Sequence, residues 1–121
     1  MNKNVLILLG ILLLISFSIS VFYKTKKLDD TKIYFFSQKG CHHCIEAKKF
    51  LENNYKDLNI EILELDELKN MNLFFKCVEK FDLDKKTLGT PLICIGNNYI
   101  LGWSKNKEED FKKFLEQFKN E

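Results

Sequence analysis

Proline is nearly absent from this chain: among its 121 residues there is one, Pro91. A proline kept at a single position carries information about that position. A clustered basic excess is also missing. Nineteen Lys and Arg face seventeen Asp and Glu, a net charge of +2, which excludes the electropositive surface of a nucleic-acid-binding domain. Histidine occurs twice only, at His42 and His43. No second C-x-x-C and no H-x-x-H accompanies the one pair at Cys41 and Cys44, so a four-ligand zinc site lacks half its donors. Internal repeats are absent too, and low complexity is confined to the start of the chain. That leaves the material for one domain with a proper core: 45% apolar residues, eleven of them Phe, in a length suited to a single unit.

The first segment stands apart from the globular pattern. After a short polar start with Lys3, residues Val5 to Tyr23 are apolar apart from Gly10 and three serines. As a helix this run reaches about 28 Å, close to the thickness of a bilayer's hydrocarbon core. Two readings stay open for residues 1–23. One is an uncleaved membrane anchor through residues 5–23. The other is a signal peptide with Val5–Ile15 as its core and Ser18-Ile19-Ser20 as its cleavage site. Lys24, Lys26 and Lys27 follow the run, and charge counting alone keeps that side cytoplasmic. The short basic N-terminus instead marks export, which is the expectation adopted here, because disulfide chemistry belongs outside the cytoplasm. Residues 24–31 read as a polar linker, and 32–121 as the domain.

Within that domain the apolar period alternates between strand and helix. "KIYFFS", 32–37, has the β-branched and aromatic character of a central strand. A helix is predicted from Cys44 to about Asn54, burying Ala47, Phe50 and Leu51. "NIEILELD", 59–66, is a second strand. A second helix is predicted where Leu68, Met71, Phe75 and Val78 recur at steps of three and four. "PLICI", 91–95, and "NYILGW", 98–103, form a hairpin around Gly96-Asn97-Asn98. Asn106 and Glu109 suit the capping pair of a last helix, whose stripe is Phe111, Phe114, Leu115 and Phe118. The order β-α-β-α-β-β-α predicts an α/β fold. Its first two strands are parallel through a crossover and its last two antiparallel, in a mixed four-stranded sheet with helices on both faces.

The chemistry concentrates in "FFSQKGCHHCIEAKKFL", 35–51. Gly40 ends a strand-to-helix turn and Cys41 takes the helix N-cap. Unpaired N–H groups and about half a positive charge gather at a helix N-terminus. A thiolate there gains up to about 2 kcal/mol in favourable, partly buried settings. An adjacent imidazolium adds to this, so Cys41 is the nucleophile, with His42 and His43 tuning it. Cys44, three residues on, is placed to resolve a mixed disulfide on Cys41. The histidines leave the helix in other directions and do not complete a metal set. No metal site is expected.

This arrangement resembles the thioredoxin superfamily in its compact glutaredoxin size. The likeness rests on "YFFSQKGCHHC", "GTPLICIGNNYILGW" and the final helix, and covers residues 31–119. It implies a redox-active Cys41–Cys44 disulfide and a cis-proline at Thr90-Pro91 that shapes the contact with an extended substrate. It also implies no organic cofactor, since the disulfide itself carries the electrons. The chain departs from the pattern in three places. No proline separates the cysteines. The family's buried acid near the resolving thiol has no counterpart, so Cys44 has no assigned proton acceptor. The glutathione-holding Gly-Gly-x-x-Asp stretch appears as "LGWSKN", which keeps Gly102 and loses the acid. A histidine before the second cysteine resembles the strongly oxidising members.

The resulting expectation is a monomeric, extracytoplasmic thiol–disulfide oxidoreductase, anchored or secreted. It exchanges disulfides with protein substrates and is reset by a membrane redox partner. Two alternatives remain: a redox-inactive module that docks a partner or holds metal, and a cytoplasmic-facing glutaredoxin-like reductase. Cys77 and Cys94 fall in apolar runs and read first as core thiols, with a disulfide between them as the alternative. Trp103 reads as a packing residue at the end of its strand. Lys39 reads equally as a loop lysine or as a positive charge aimed at Cys41.

Overall fold

The structure is a computed structural model that describes residues 2–22 and 26–121, with only the backbone for 18–22. An N-terminal helix α1, Lys3–Phe22, precedes the domain. Its side chains from Val5 to Phe17 are apolar on every side and exposed, apart from Gly10 and Ser16. Among the described residues, no helix is long and apolar enough to cross a membrane. The transmembrane part of the expectation for residues 5–23 is therefore not borne out, whereas a signal helix remains compatible with α1. The side chains of Ser18-Ile19-Ser20, and Tyr23, Lys24 and Thr25 of the expected leader and linker, lie outside the described residues.

The domain runs β1 (Ile33–Ser37), α2 (His42–Asn54), β2 (Ile60–Glu64), α3 (Leu68–Lys80), β3 (Leu92–Ile95), β4 (Asn98–Leu101) and α4 (Lys105–Lys119). The sheet order is β2-β1-β3-β4. β1 pairs parallel with β2, from Ile33↔Ile60 to Ser37↔Glu64. It pairs antiparallel with β3, from Ile33↔Ile95 to Phe36↔Leu92. β3 and β4 form the hairpin, with Ile95↔Asn98 flanking a two-residue turn at Gly96-Asn97. Asn98 thus starts the strand instead of belonging to the turn, and the left-handed φ of +57° at Gly96 meets the turn's demand. β1 and β3 are the inner strands, and every residue in both is buried. That explains their unbroken apolar character, since a strand covered on both faces shows no alternation.

Two apolar layers hold the sheet. On one face, Ile33, Phe35, Ile93, Ile95 and Ile100 pack against Ala47 and Leu51 of α2 and Phe111 and Leu115 of α4. On the other, Tyr34, Phe36, Leu92 and Cys94 pack against Leu73, Phe74, Cys77 and Val78 of α3. Each fully buried large side chain contributes about 1.5–3 kcal/mol relative to exposure. The mixed sheet with helices on both faces is as the sequence predicts.

Three local expectations are corrected. α3 does not bury the row Leu68, Met71, Phe75 and Val78: Leu68 is 86% exposed and Phe75 41%. The buried row is Asn70, Leu73, Phe74, Cys77 and Val78. Two helical stripes overlap in this sequence, and Phe36 selects between them by taking Phe74 edge-on at 5.5 Å between ring centroids. Asn70, the polar member, is satisfied because its side-chain amide donates to the Glu64 carbonyl at 2.8 Å.

The Asn106–Glu109 capping pair does not form. α4 begins earlier, with Ser104 as N-cap and no side-chain cap bond. Trp103 is anchored in the core, so the chain must turn into the helix directly after it.

Cys77 and Cys94 are both in the core, as expected, and are also joined to each other as a disulfide, with Cα atoms 6.6 Å apart. This bond staples α3 to β3.

The described part of the linker is not free. Leu28 packs on the α3 layer. The Asp29 N–H donates to the Tyr34 hydroxyl at 2.9 Å. The Lys80 ammonium reaches Asp30 at 3.0 Å and the Gly96 carbonyl at 2.7 Å, and that of Lys76 donates to the Lys26 carbonyl. The Thr31 hydroxyl and N–H both donate to the Asp29 carboxylate, and hold it below the usual carboxylate range. The chain thus enters β1 from a fixed strap at the end of the sheet opposite the Cys41 turn.

Candidate active site

The turn after β1 is built by three local features. Gly40 adopts φ +74°, which only glycine accepts cheaply. The Cys41 N–H donates to the Gln38 carbonyl at 3.2 Å and closes the turn. The Lys39 N–H donates to the Asp66 carboxylate at 2.9 Å, which ties the turn to the end of β2. The Lys39 side chain itself is exposed. Asp66 was not visible as a site residue in the sequence, because its partner lies 27 positions away.

Cys41 is the N-cap of α2, with extended φ −80° and ψ 105°, and its Sγ accepts the Cys44 N–H at 3.2 Å. The sulfur therefore sits where the sequence places it, at the unfilled amides of a thirteen-residue helix. No acidic residue occupies the first turn of α2, and the first carboxylate on that helix is Glu46. Cys41 and Cys44 are disulfide-bonded, with Cα atoms 5.2 Å apart. The two sulfurs are not equivalent. Cys41 is half-buried and packs at the rim of the α2–α4 layer, whereas Cys44 is 1% exposed and lies within it. An incoming thiolate can approach Cys41 only.

The Thr90-Pro91 peptide is cis, and the Thr90 carbonyl oxygen stands 3.5 Å from Cys41 Sγ. The sequence-predicted residues Cys41, Cys44, Thr90 and Pro91 are thus brought together from positions about half a chain apart. The Pro91 carbonyl in turn accepts the Gly102 N–H at 2.8 Å, which fixes this segment to the end of β4.

The two histidines flank the disulfide but are largely exposed. Both turn to one carboxylate: His42 Nε2 lies 3.1 Å from Glu46 Oε1, and His43 Nδ1 lies 3.7 Å from Glu46 Oε2. Glu46 is the neighbour of the two histidines that reading by motif missed. The signal was available, since i,i+3 and i,i+4 spacing puts these side chains on one helix surface. Trp103 is buried and packs on Phe50 at 5.4 Å between ring centroids, in keeping with a packing role. Among the described residues, no group of three or more His, Cys, Asp or Glu side chains is placed to hold a metal ion.

No protein-family model matches this chain, and no curated protein matches it either. Among solved structures it is similar to a glutaredoxin from Archaeoglobus fulgidus. The TM-score is 0.53 at 15% identity, and the match covers 76% of this chain and 98% of that one. Buckwheat glutaredoxin, solved as a complex with glutathione, aligns at a TM-score of 0.49 and 20% identity, over 71% of this chain and 74% of that one. At that identity the likeness is one of fold: the domain has a glutaredoxin-like fold.

Proposed function

We propose that this chain is a thiol–disulfide oxidoreductase that exchanges disulfides with protein substrates through Cys41 and Cys44. One observation carries the reading: a half-exposed N-cap sulfur is bonded to a sealed partner three residues on, beside the cis Thr90-Pro91 peptide.

In the oxidising direction, a substrate thiolate attacks Cys41 Sγ, the Cys41–Cys44 bond breaks, and Cys44 leaves as the thiolate. A second substrate thiolate then displaces Cys41 from the mixed disulfide, so the substrate gains a disulfide and the chain holds two thiols. The reducing direction runs the same steps backwards. The helix end favours a Cys41 thiolate as leaving group and as nucleophile. His42 and His43 tune that thiolate when protonated, and Glu46 offsets them. Thr90 and Pro91 present backbone to an extended substrate segment. No organic cofactor takes part.

We place the domain outside the cytoplasm, exported by α1 acting as a signal helix. Its all-round apolar surface and basic start support this, as does a second disulfide in the core. Equilibration against glutathione buffers, with the oxidised fraction of Cys41–Cys44 read out, tests the activity. A potential well above that of thioredoxin (about −270 mV) is expected, and a pair that never equilibrates sinks the reading. Protease accessibility of the domain in intact cells tests the location.

A further inference from the structure

Ser37 closes β1 at the end of the sheet that carries the Cys41–Cys44 turn. Side chains alternate along β1. Ile33 and Phe35 belong to the layer that contains Cys44, and Tyr34 and Phe36 to the layer under α3. Ser37 continues the Ile33–Phe35 row and so faces the layer of Cys44. It is 1% exposed, as is Cys44. Its carbonyl accepts the Leu65 N–H at 2.8 Å, yet its hydroxyl has no hydrogen-bond partner among the described residues. A buried hydroxyl left unpaired is costly, and this one stands idle in the oxidised state.

Cys44 has the complementary need. In the disulfide its sulfur asks little of a donor. Once the bond opens, Cys44 must ionise inside an apolar layer that contains Phe35, Ala47, Ile93 and Phe111, and such surroundings disfavour a thiolate. Its own N–H is already committed to Cys41.

We propose that the Ser37 hydroxyl is a positioning residue that donates a hydrogen bond to the Cys44 sulfur when the disulfide opens, stabilising the resolving thiolate. This rests on the oxidoreductase reading above. In the resolving step the Cys44 thiolate attacks Cys41 Sγ of the mixed disulfide. The Cys41–substrate S–S bond breaks, the Cys41–Cys44 bond forms, and the substrate leaves as a thiol carrying the proton that Cys44 gave up. Ser37 keeps its own proton throughout.

The other ionisable groups around Cys44 are few. Cys41, His42, His43 and Glu46 share its helix, and the Lys48–Glu64 pair, at 2.9 Å, joins α2 to β2. Apart from Ser37, β1, β3 and α4 bring apolar side chains to the layer, such as Ile33, Ile95 and Leu115, and Tyr55 at the end of α2 packs against its rim on Phe111. A change at position 37 is therefore read by Cys44 without a second buried titrating group between them.

The test uses the full chain with Cys41→Ala, which leaves Cys44 as the free thiol while Cys77 and Cys94 stay bonded. Its thiolate absorbance is titrated with Ser37, Ser37→Ala and Ser37→Thr. Ser37→Ala is expected to raise the midpoint by about one pH unit, and Ser37→Thr to leave it near the parent value. In the chain with both cysteines, Cys41 is loaded with thionitrobenzoate and its release by Cys44 followed. Ser37→Ala should slow release about tenfold near neutral pH, as the thiolate fraction falls. Equal midpoints and equal release rates in Ser37 and Ser37→Ala would overturn the proposal, including where a buried water satisfies the hydroxyl. Failure of the oxidoreductase reading shows elsewhere, as a parent chain that does not equilibrate in glutathione buffers.

Discussion

Cys41 Sγ stands 3.5 Å from the carbonyl oxygen of Thr90, across the cis peptide to Pro91. The two residues are 49 positions apart. Their meeting joins a helix start to a strand start: α2 delivers the sulfur, and β3 begins one residue after the proline. The same carbonyl can accept from the Cys41 thiol once the disulfide is reduced.

The asymmetry of the two sulfurs sets a first expectation. In the reduced chain, iodoacetamide at pH 6 should modify Cys41 and spare Cys44, as peptide mass mapping would show. Cys41→Ser should abolish disulfide exchange, while Cys44→Ser should trap substrate as a long-lived mixed disulfide. Preferential labelling of Cys44 would reverse the assigned roles.

Glu46 holds both histidines and brings a negative charge near the thiolate end of α2. Replacing it with Gln removes that charge, favours the reduced form and raises the potential. These are exposed groups, so the change should be small, about 10 mV at low salt, and should shrink as salt is added. His42→Ala and His43→Ala should move the potential the other way. A potential for Glu46→Gln below that of the parent contradicts the assignment.

The Cys77–Cys94 bond closes a loop with a sequence separation of 17. In a Cys41→Ser/Cys44→Ser background, reducing this bond should cost about 3 kcal/mol, measured by urea unfolding with and without dithiothreitol. Identical midpoints would mean that the staple adds nothing.

The rotation of α3 is checked by two neighbouring rings. Phe74→Ala should destabilise the fold by about 3–5 kcal/mol. Phe75→Ala should cost clearly less, about 1 kcal/mol, because that residue is 41% exposed. If Phe75→Ala were the more damaging, the stripe read from Leu68, Met71, Phe75 and Val78 would be right after all.

Much of this domain was legible before its structure. The central strands showed as unbroken apolar runs, and α4 through its phenylalanine spacing. The turn at Gly96-Asn97 and the helix start at Cys41 rest on residue types with few other uses. Legibility failed where two local patterns were equally good, as along α3. It failed again where a cap depended on a distant anchor, as when Trp103 moved the start of α4 ahead of Asn106. The Glu46 contacts were within reach of helical spacing, but a motif read letter by letter passes over them.

By itself the chain's order of residues determined the sequence of strands and helices and set a cysteine at a helix N-terminus, because both follow from contacts within a few residues. Tertiary structure alone decided which face of α3 is buried, that Cys77 meets Cys94, that Thr90 reaches Cys41, and that Ser37 shares a layer with Cys44. Those outcomes depend on how elements far apart in sequence pack against one sheet, and no local propensity encodes that register.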